Sequence, residues 1–498
     1  MRPWYACPCP CSGRWGRRYV SCPWWGAHYP VCEYGTGFGA YEIKEVMHDV
    51  LQDRGVWAGG LRSMVLAAGE PGPARRGPGM SEHDPGAHRT PATVLAPQGW
   101  SPAVILLLGV AGMLDFIDRF VFSAANDAIK HDLHLSDATV GLLGGTAFAL
   151  LYGVMIVPFA LISDRGFAAR MASFGIAMWS VATALMGCAH MIATMAATRI
   201  CVGLGQAAFS PSSSALNAAY SIPEKRSTSF AVSYGISYLG YVIGLAGGGY
   251  LVEHIGWRAT FAAVGLAGIP VAIAMHLFIP EPPMPHVVRN GESWRALLAN
   301  RPLRALLFYG MTSQVVSYGI TLWGVSFYMR SFGLSSGAAG AWFGIGIGIA
   351  SVVGTFIGGP IADRVAVRFG FSGAMRFAFW AYLVAQPFQI LQVMTHSLGL
   401  SLVMLVLTTV ISALCTGPIY GAIPTVVPVH RRAAATGLYA LLANAIGIGL
   451  GPPLFGWISD LLTPHFGADA LRMSLLVAAI LSFWPAVHLF LLQRRFGK

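Results

Sequence analysis

Charge is what this 498-residue chain has least of. Asp, Glu, Lys and Arg make up 11% of it against 55% hydrophobic residues, whereas a soluble globular domain carries about 25% charged residues. So few charges cannot cover a water-facing surface of this size, and lipid must be much of the solvent. Motifs of metal and nucleotide chemistry are missing as well. From residue 102 onward there is no H-E-x-x-H, no Walker phosphate loop and no zinc-ligand set. That argues against a polytopic membrane enzyme, and neither cofactor nor metal is expected. Gly333-Leu-Ser335-Ser-Gly337 fits the nucleophile-elbow pattern in letters only, since it joins two apolar segments where that motif needs a strand-turn-helix setting. The net charge of +11 is no sign of nucleic acid, because the basic residues sit in short loops between apolar runs.

Residues 1–101 differ in kind. They hold Cys7, Cys9, Cys11, Cys22 and Cys32, five of the eight cysteines, among many Arg, Gly and Pro. No apolar periodicity and no secretory hydrophobic region is present. The Cys-Pro-Cys-Pro-Cys run is too tight for a zinc ribbon and lacks a paired His at finger spacing. The segment reads as a poorly ordered N-terminal extension, or as one that is not translated. Met80 opens a short polar leader that runs directly into the first apolar segment.

From Pro102 the pattern becomes regular. Apolar segments recur at 102–125, 137–161, 170–190, 193–215, 228–252, 258–279, 303–328, 337–361, 374–395, 399–422, 434–458 and 470–492. Each has about the 20 residues that a helix needs to cross a ~30 Å hydrocarbon core. The expected fold is therefore an all-α membrane protein with twelve transmembrane helices. The loops alternate in charge. One set, with the C-terminal tail, holds Arg165, Arg170, Lys225, Arg226, Arg289, Arg295, Arg301, Arg304, Arg364, Arg368, Arg376, Arg431, Arg432, Arg494, Arg495 and Lys498. The other holds only Lys130, Arg258, Arg330 and Arg472. Sixteen against four places both termini in the cytoplasm. A linker at 281–302, beginning near Ile-Pro-Glu-Pro-Pro, divides the body into six-helix bundles at 102–280 and 303–493.

The two halves echo each other. Ser163-Asp164-Arg165 follows the second segment and Ala362-Asp363-Arg364 follows the eighth. The fifth carries Gly240, Gly244 and Gly248, and the eleventh Gly447, Gly449, Gly451 and Gly456. Two related six-helix halves are a transporter architecture. On these residues the chain resembles the major facilitator superfamily, whose loop signature has the form G-x-L-x-D-R-x-G-R-R; Gly359-Pro-Ile-Ala-Asp363-Arg364 keeps its Gly and Asp-Arg. Within it, Asp115-Phe-Ile-Asp118-Arg119, His134-Leu-Ser-Asp137, Gly203-Leu-Gly205-Gln206-Ala207, Phe332-Gly-Leu-Ser335 and Asn444-Ala-Ile-Gly447 resemble the bacterial spinster-like branch. The anion symporter branch, with a similar first-helix Asp-Arg, is the alternative.

Four ionisable residues fall well inside the predicted spans: Asp115, Asp118, Arg119 and Arg199. Each costs about 2.5–3.5 kcal/mol at mid-membrane unless paired. Asp115 and Arg119 are four apart and can pair on one helix face, which leaves Arg199 as the expected partner of Asp118. Asp118 and Asp115 are the candidate proton-coupling groups, Arg119 and Arg199 the candidate anchors for an anionic head group, and Gln206 a candidate substrate-binding residue beside them. Gln206 stands where the spinster-like pattern has Glu and cannot titrate, so proton coupling and facilitated diffusion both stay open. Tyr234, Tyr238, Tyr318, Trp323, Tyr420 and Asn444 complete the candidate substrate site, softer and more aromatic in the second half; ordinary helix packing accounts for any one of them equally well. Asp164, Arg165, Asp363 and Arg364 are candidate gating pairs.

The resemblance implies a monomeric, non-enzymatic transporter of the bacterial inner (plasma) membrane, multi-pass, working by alternating access. It would move a small amphipathic or anionic solute, lysolipid-like or a lipophilic organic acid, with protons as a second ligand if coupling holds. Mass spectrometry of the purified protein is expected to place its N-terminal peptide at Met80; any peptide from upstream rules that start out.

Overall fold

A computed structural model describes residues 19–21, 28–30, 101–222, 225–282, 294–428 and 431–496. The chain divides into two units, Met1–Arg89 and Thr90–Lys498. Of the first, the described part is an antiparallel pair of short strands, β1 (Tyr19–Ser21) and β2 (His28–Pro30), with Val20 opposite Tyr29. The expectations of a disordered or untranslated tail, and of a start at Met80, lie outside the described residues, as does 283–293 of the linker.

Among its described residues the second unit is helical, with short connections. Its elements are α1 (Pro102–Asp132), α2 (137–162), α3 (Ala168–Met186), α4 (Ile192–Ala219), α5 (226–255) and α6 (257–278). A short helix, Trp294–Ala299, precedes α7 (Arg301–Phe332), α8 (Ser336–Gly370), α9 (Ser372–Met394), α10 (Leu398–Ala422), α11 (Arg432–Phe466) and α12 (470–496). Each of the twelve predicted segments is thus helical among the described residues. Among the described residues, seven stretches are long and apolar enough to cross a membrane by length and composition. Three of these, of 50, 51 and 60 residues, rise about 75 Å or more at 1.5 Å per residue, more than two crossings. They bend at Gly166, Gly256 and Gly467. The φ of +96° at Gly166 and +78° at Gly256 suits glycine and few other residues. Neither α1 nor α7 is among the seven. Helix α1 carries its charges mid-span, and α7 carries Thr312, Ser313, Gln314 and Tyr318.

Caps hold the ends of the helices. Asn300 and Ser335 accept from the third amides of α7 and α8, and the Glu281 carboxylate takes the Ala169 and Arg170 amides at the start of α3 at 2.8 and 2.9 Å. Large apolar side chains cover the perimeter, such as Phe278 at 73% and Phe356 at 77% exposure, as lipid-facing surface requires.

Two faces are distinguished by what they join. Among the described residues, the linker face carries 163–167, 220–222, 225–226, 279–282, 299–301 and 423–428; the far face carries 133–136, 187–191, 333–335 and 395–397. The halves meet through α1 with α7, α2 with α11 and α5 with α8. A shift of six helices exchanges the last two pairs. Apolar packing is asymmetric between the faces. One continuous core contains Phe122, Phe148 and Phe261 of the first half together with Trp323, Phe343 and Phe455 of the second. A separate core around Leu306, Tyr309, Tyr382 and Tyr439 belongs to the second half alone, toward the linker face. The halves are fused on the far side and parted on the linker side.

Inside the first half, α2 and α4 approach closely. A Cβ on Gly203 would lie 2.1 Å from the Phe148 carbonyl oxygen, and backbone cannot yield as a side chain can. Gly203→Ala is expected to destabilise the protein by about 1–3 kcal/mol, read as a lower melting temperature in detergent.

Candidate functional site

The four mid-membrane charges converge where α1 passes α3 and α4. Asp118 is 2% exposed, Arg199 1% and Gln206 not at all. Arg119 donates to the Asp115 carboxylate at 3.1 and 3.3 Å, as the i,i+4 spacing implies. It also donates to the Gln206 Oε1 at 2.7 Å. The Gln206 Nε2 in turn donates to Asp118 at 3.2 Å and reaches the Asp115 carbonyl at 3.5 Å. Thr183 of α3 donates to the other Asp118 oxygen. Gln206 is therefore the connector: its oxygen faces a cation and its amide nitrogen a carboxylate, an arrangement that one neutral amide satisfies at both ends. A glutamate in its place would set a second carboxylate against Asp118.

The expected direct pairing of Asp118 with Arg199 is not formed. Arg199 donates instead to the carbonyls of Leu143 at 3.2 Å and Gly144 at 3.1 Å. Those carbonyls lie in a π-helical turn of α2, Leu142–Ala147, whose wider winding disturbs the regular i→i−4 ladder. The guanidinium stacks 4.3 Å over Phe122 and 5.4 Å from the Phe148 ring, and its Nη1 is buried without a hydrogen-bond partner. Arg199 is thus enclosed behind Asp118 and has no open path to a ligand in this conformation.

Arg119 faces the other way. A narrow cleft of about 30 Å³ between the halves is lined by Arg119, Phe120, Ser123 and Phe148 on one side and by Tyr318, Thr321, Leu322, Ile448 and Pro452 on the other. Arg119 is the charged group of that lining, set 5.2–5.8 Å from the rings of Phe148, Phe116 and Tyr152. Tyr318 donates to Asn444 at 2.9 Å, so two of the second-half candidates form one wall. The charge of this lining lies in the first half, as expected, but the second-half wall is not the more aromatic one, with Tyr318 against Phe120 and Phe148 of the first. Tyr234, Tyr238 and Tyr420, each about half exposed, sit outside the cavity at its linker-side mouth.

Trp323 needs correction as a cavity residue. It is completely buried in the far-side core, where its indole donates to the Pro452 carbonyl at 2.9 Å. The loop residues Asp164, Arg165, Asp363 and Arg364 are all exposed on the linker face. Sequence reasoning also missed the polar far-side cluster. Arg330 of α7 binds Asp127 of α1 and Asp137 of α2, Lys130 joins Asp137 at 2.6 Å, and Ser459 of α11 donates to Asp137 at 2.7 Å. Its sequence signals are that Lys130 and Arg330 are two of just four basic residues on the sparsely charged side and that Asp137 closes the His134-Leu-Ser-Asp137 stretch; neither names the partners.

Two pseudo-equivalent helical halves around a shared, partly charged cavity, in a body of lipid-facing helices, define a multi-pass membrane transporter. The Major Facilitator Superfamily model matches residues 108–452, and the chain belongs to that family. It is 30% identical over 406 residues to an MFS-type efflux pump of Mycolicibacterium smegmatis, covering 80% of this chain and 93% of the relative. It is 25% identical over 427 residues to protein spinster homolog 1 of Mus musculus, covering 77% and 78%. Its fold matches a bacterial homolog of the human lysosomal transporter Spinster, crystallised inward-facing and occupied, with a TM-score of 0.70 and 25% identity over 78% of this chain and 96% of that one. The relatives are transporters and efflux pumps, so the protein is a transporter and not an enzyme, and its spinster-like character is shared with both comparisons.

Thr183 carries a testable part of this geometry. Thr183→Val keeps the shape and removes the hydroxyl that holds buried Asp118, and should cost about 1.5–3 kcal/mol, measured as a fall in melting temperature relative to the parent.

Proposed function

We propose that the chain is an alternating-access carrier of a small amphipathic or anionic solute, lysolipid-like or a lipophilic organic acid, and that the conformation described here is open to the cytoplasm. The positive-inside distribution of loop charge makes the linker face cytoplasmic, in a bacterial plasma membrane, with one chain sufficient as the working unit. The observation that carries the reading is Arg119, the charged group in a cleft otherwise walled by uncharged and mostly apolar side chains. A guanidinium there binds a carboxylate or phosphate head group, while Phe120, Phe148, Leu322 and Ile448 take an apolar body. Tyr234, Tyr238 and Tyr420 line the route in.

Coupling falls to Asp118, with Asp115 beside it. A Thr hydroxyl and a Gln amide hold Asp118 in place of a direct ion pair, so the carboxyl can take up or release a proton without breaking a salt bridge. Asp115 is tied to Arg119, and cargo that competes for Arg119 loosens that tie. This links solute binding to the charge state of the pair. Asp164–Arg165 and Asp363–Arg364, exposed in this state, are the groups that come together when the cytoplasmic side closes.

Proteoliposomes loaded with lysolipids or organic acids, with and without a pH gradient, test the reading. Asp118→Asn is expected to abolish acceleration by the gradient and to slow gradient-driven flux by tenfold or more. A variant with the parent's rate and pH profile ends the coupling role.

A further inference from the structure

The two exchanged seams, α2 with α11 and α5 with α8, close the far face by the same device. At the start of α2, Ser136 accepts from the Thr139 amide, within the same half. The preceding amides, those of Asp137 and Ala138, are taken by the Asp460 carboxylate of α11, from the opposite half, at 2.9 and 2.7 Å. At the start of α8, Ser335 accepts from the Ala338 amide, again within the half. The preceding amide, Gly337, is taken by the Glu253 carboxylate of α5, from the opposite half, at 3.0 Å. Asp460 and Glu253 occupy corresponding places near the far ends of α11 and α5. Each thus lends its negative charge to the free amides and positive end of a helix across the interface.

Bare backbone makes these reaches short. On the first seam, a Cβ on Gly145 would lie 2.5 Å from the Ile448 carbonyl oxygen and one on Gly456 2.4 Å from that of Asp137. On the second, a Cβ on Gly249 would lie 2.3 Å from the Ser336 carbonyl oxygen and one on Gly340 2.2 Å from that of Leu245. The capping bonds need that close approach, and any opening of the far face breaks them. The two are unequal in setting. Asp460 sits beside Asp137, itself 1% exposed and tied to Lys130, Arg330 and Ser459, whereas Glu253 is exposed to solvent.

We infer that Asp460 and Glu253 are a matched pair of latches that hold the far face shut, each by capping the first turn of a helix in the opposite half, with Asp460 the stronger. This rests on the two-state reading of the transport cycle. They are positioning residues: neither lines the cavity, and they act on which face is open.

Hydrogen–deuterium exchange of the full-length protein in nanodiscs tests this. Asp460→Ala is expected to raise exchange at least threefold in 137–145 and, remotely, in 336–344, and to lower it in 228–238 on the linker side as that face closes. Glu253→Ala should move the same segments in the same direction by less, and the double variant by most. A local increase at 137–145 with 336–344 and 228–238 unchanged overturns the latch, because loss of a merely structural cap has no reason to protect the opposite face. Should Asp460→Ala fail to fold, Asp460→Asn, which keeps one acceptor and loses the charge, and Glu253→Ala carry the same test. Gly145→Trp separates this from the two-state reading, since it wedges the seam apart without touching either carboxylate. If it protects 228–238 while Asp460→Ala does not, only the latch is overturned. If it deprotects both faces together, the two-state reading falls and the latch with it.

Discussion

Asp137 draws its partners from three helices besides its own. Its carboxylate binds Lys130 of α1, Arg330 of α7 and Ser459 of α11, and its backbone amide is capped by Asp460. The charges near it, Asp127, Asp137 and Asp460 against Lys130 and Arg330, leave one carboxylate over, and the positive end of α2 meets it. The Arg330, Ser459 and Asp460 bonds cross between the halves at the far face, where the halves share a single apolar core. The opening on the linker side, the exposed tyrosines at its mouth and the exposed loop aspartates all follow from closure at the far side. A rigid half that is pinned at one end can part from its neighbour only at the other.

The mid-membrane network obeys a different constraint, that charge in a low-dielectric interior must be matched. The chain meets it with few residues. Arg119 is matched by Asp115 on its own helix, and Asp118 by neutral donors. Arg199 is matched by backbone carbonyls and aromatic faces. Gln206 joins the first two of these arrangements. Its being an amide is what lets one side chain touch a guanidinium and a carboxylate together, and it explains in local terms why this position tolerates the loss of the acidic residue seen in the spinster-like pattern.

Much of the fold was legible from the sequence, since hydropathy and helix length are local properties. Even α1 and α7 were found as spans, although their polar residues keep them out of the set that is apolar enough by composition alone. The Asp115–Arg119 pair was legible too, because four residues is one helical turn. Partners that lie on different helices were not. Arg199 looked like the natural counter-charge to Asp118, yet a π-turn in α2 offers it carbonyls that no residue pattern announces. Thr183 sits in an ordinary apolar stretch and Trp323 among other aromatics. Nothing in either neighbourhood distinguishes a residue that meets a buried carboxylate from one that fills a core.

The sequence by itself determined that the chain lives in lipid, that its body is helical, that it repeats in two halves and that its inner charge lies in the first half. These rest on composition and on periods of a few residues, which survive without knowledge of packing. Only the tertiary structure decided which face is closed, that Arg119 and not Arg199 fronts the cavity, that Trp323 belongs to the closure, and that Asp460 and Glu253 reach helix starts across the interface. Those outcomes depend on crossing points and backbone approaches between segments up to about three hundred residues apart in the chain, as Asp137 and Asp460 are, and hydrogen-bond geometry at such distances is set by helix packing.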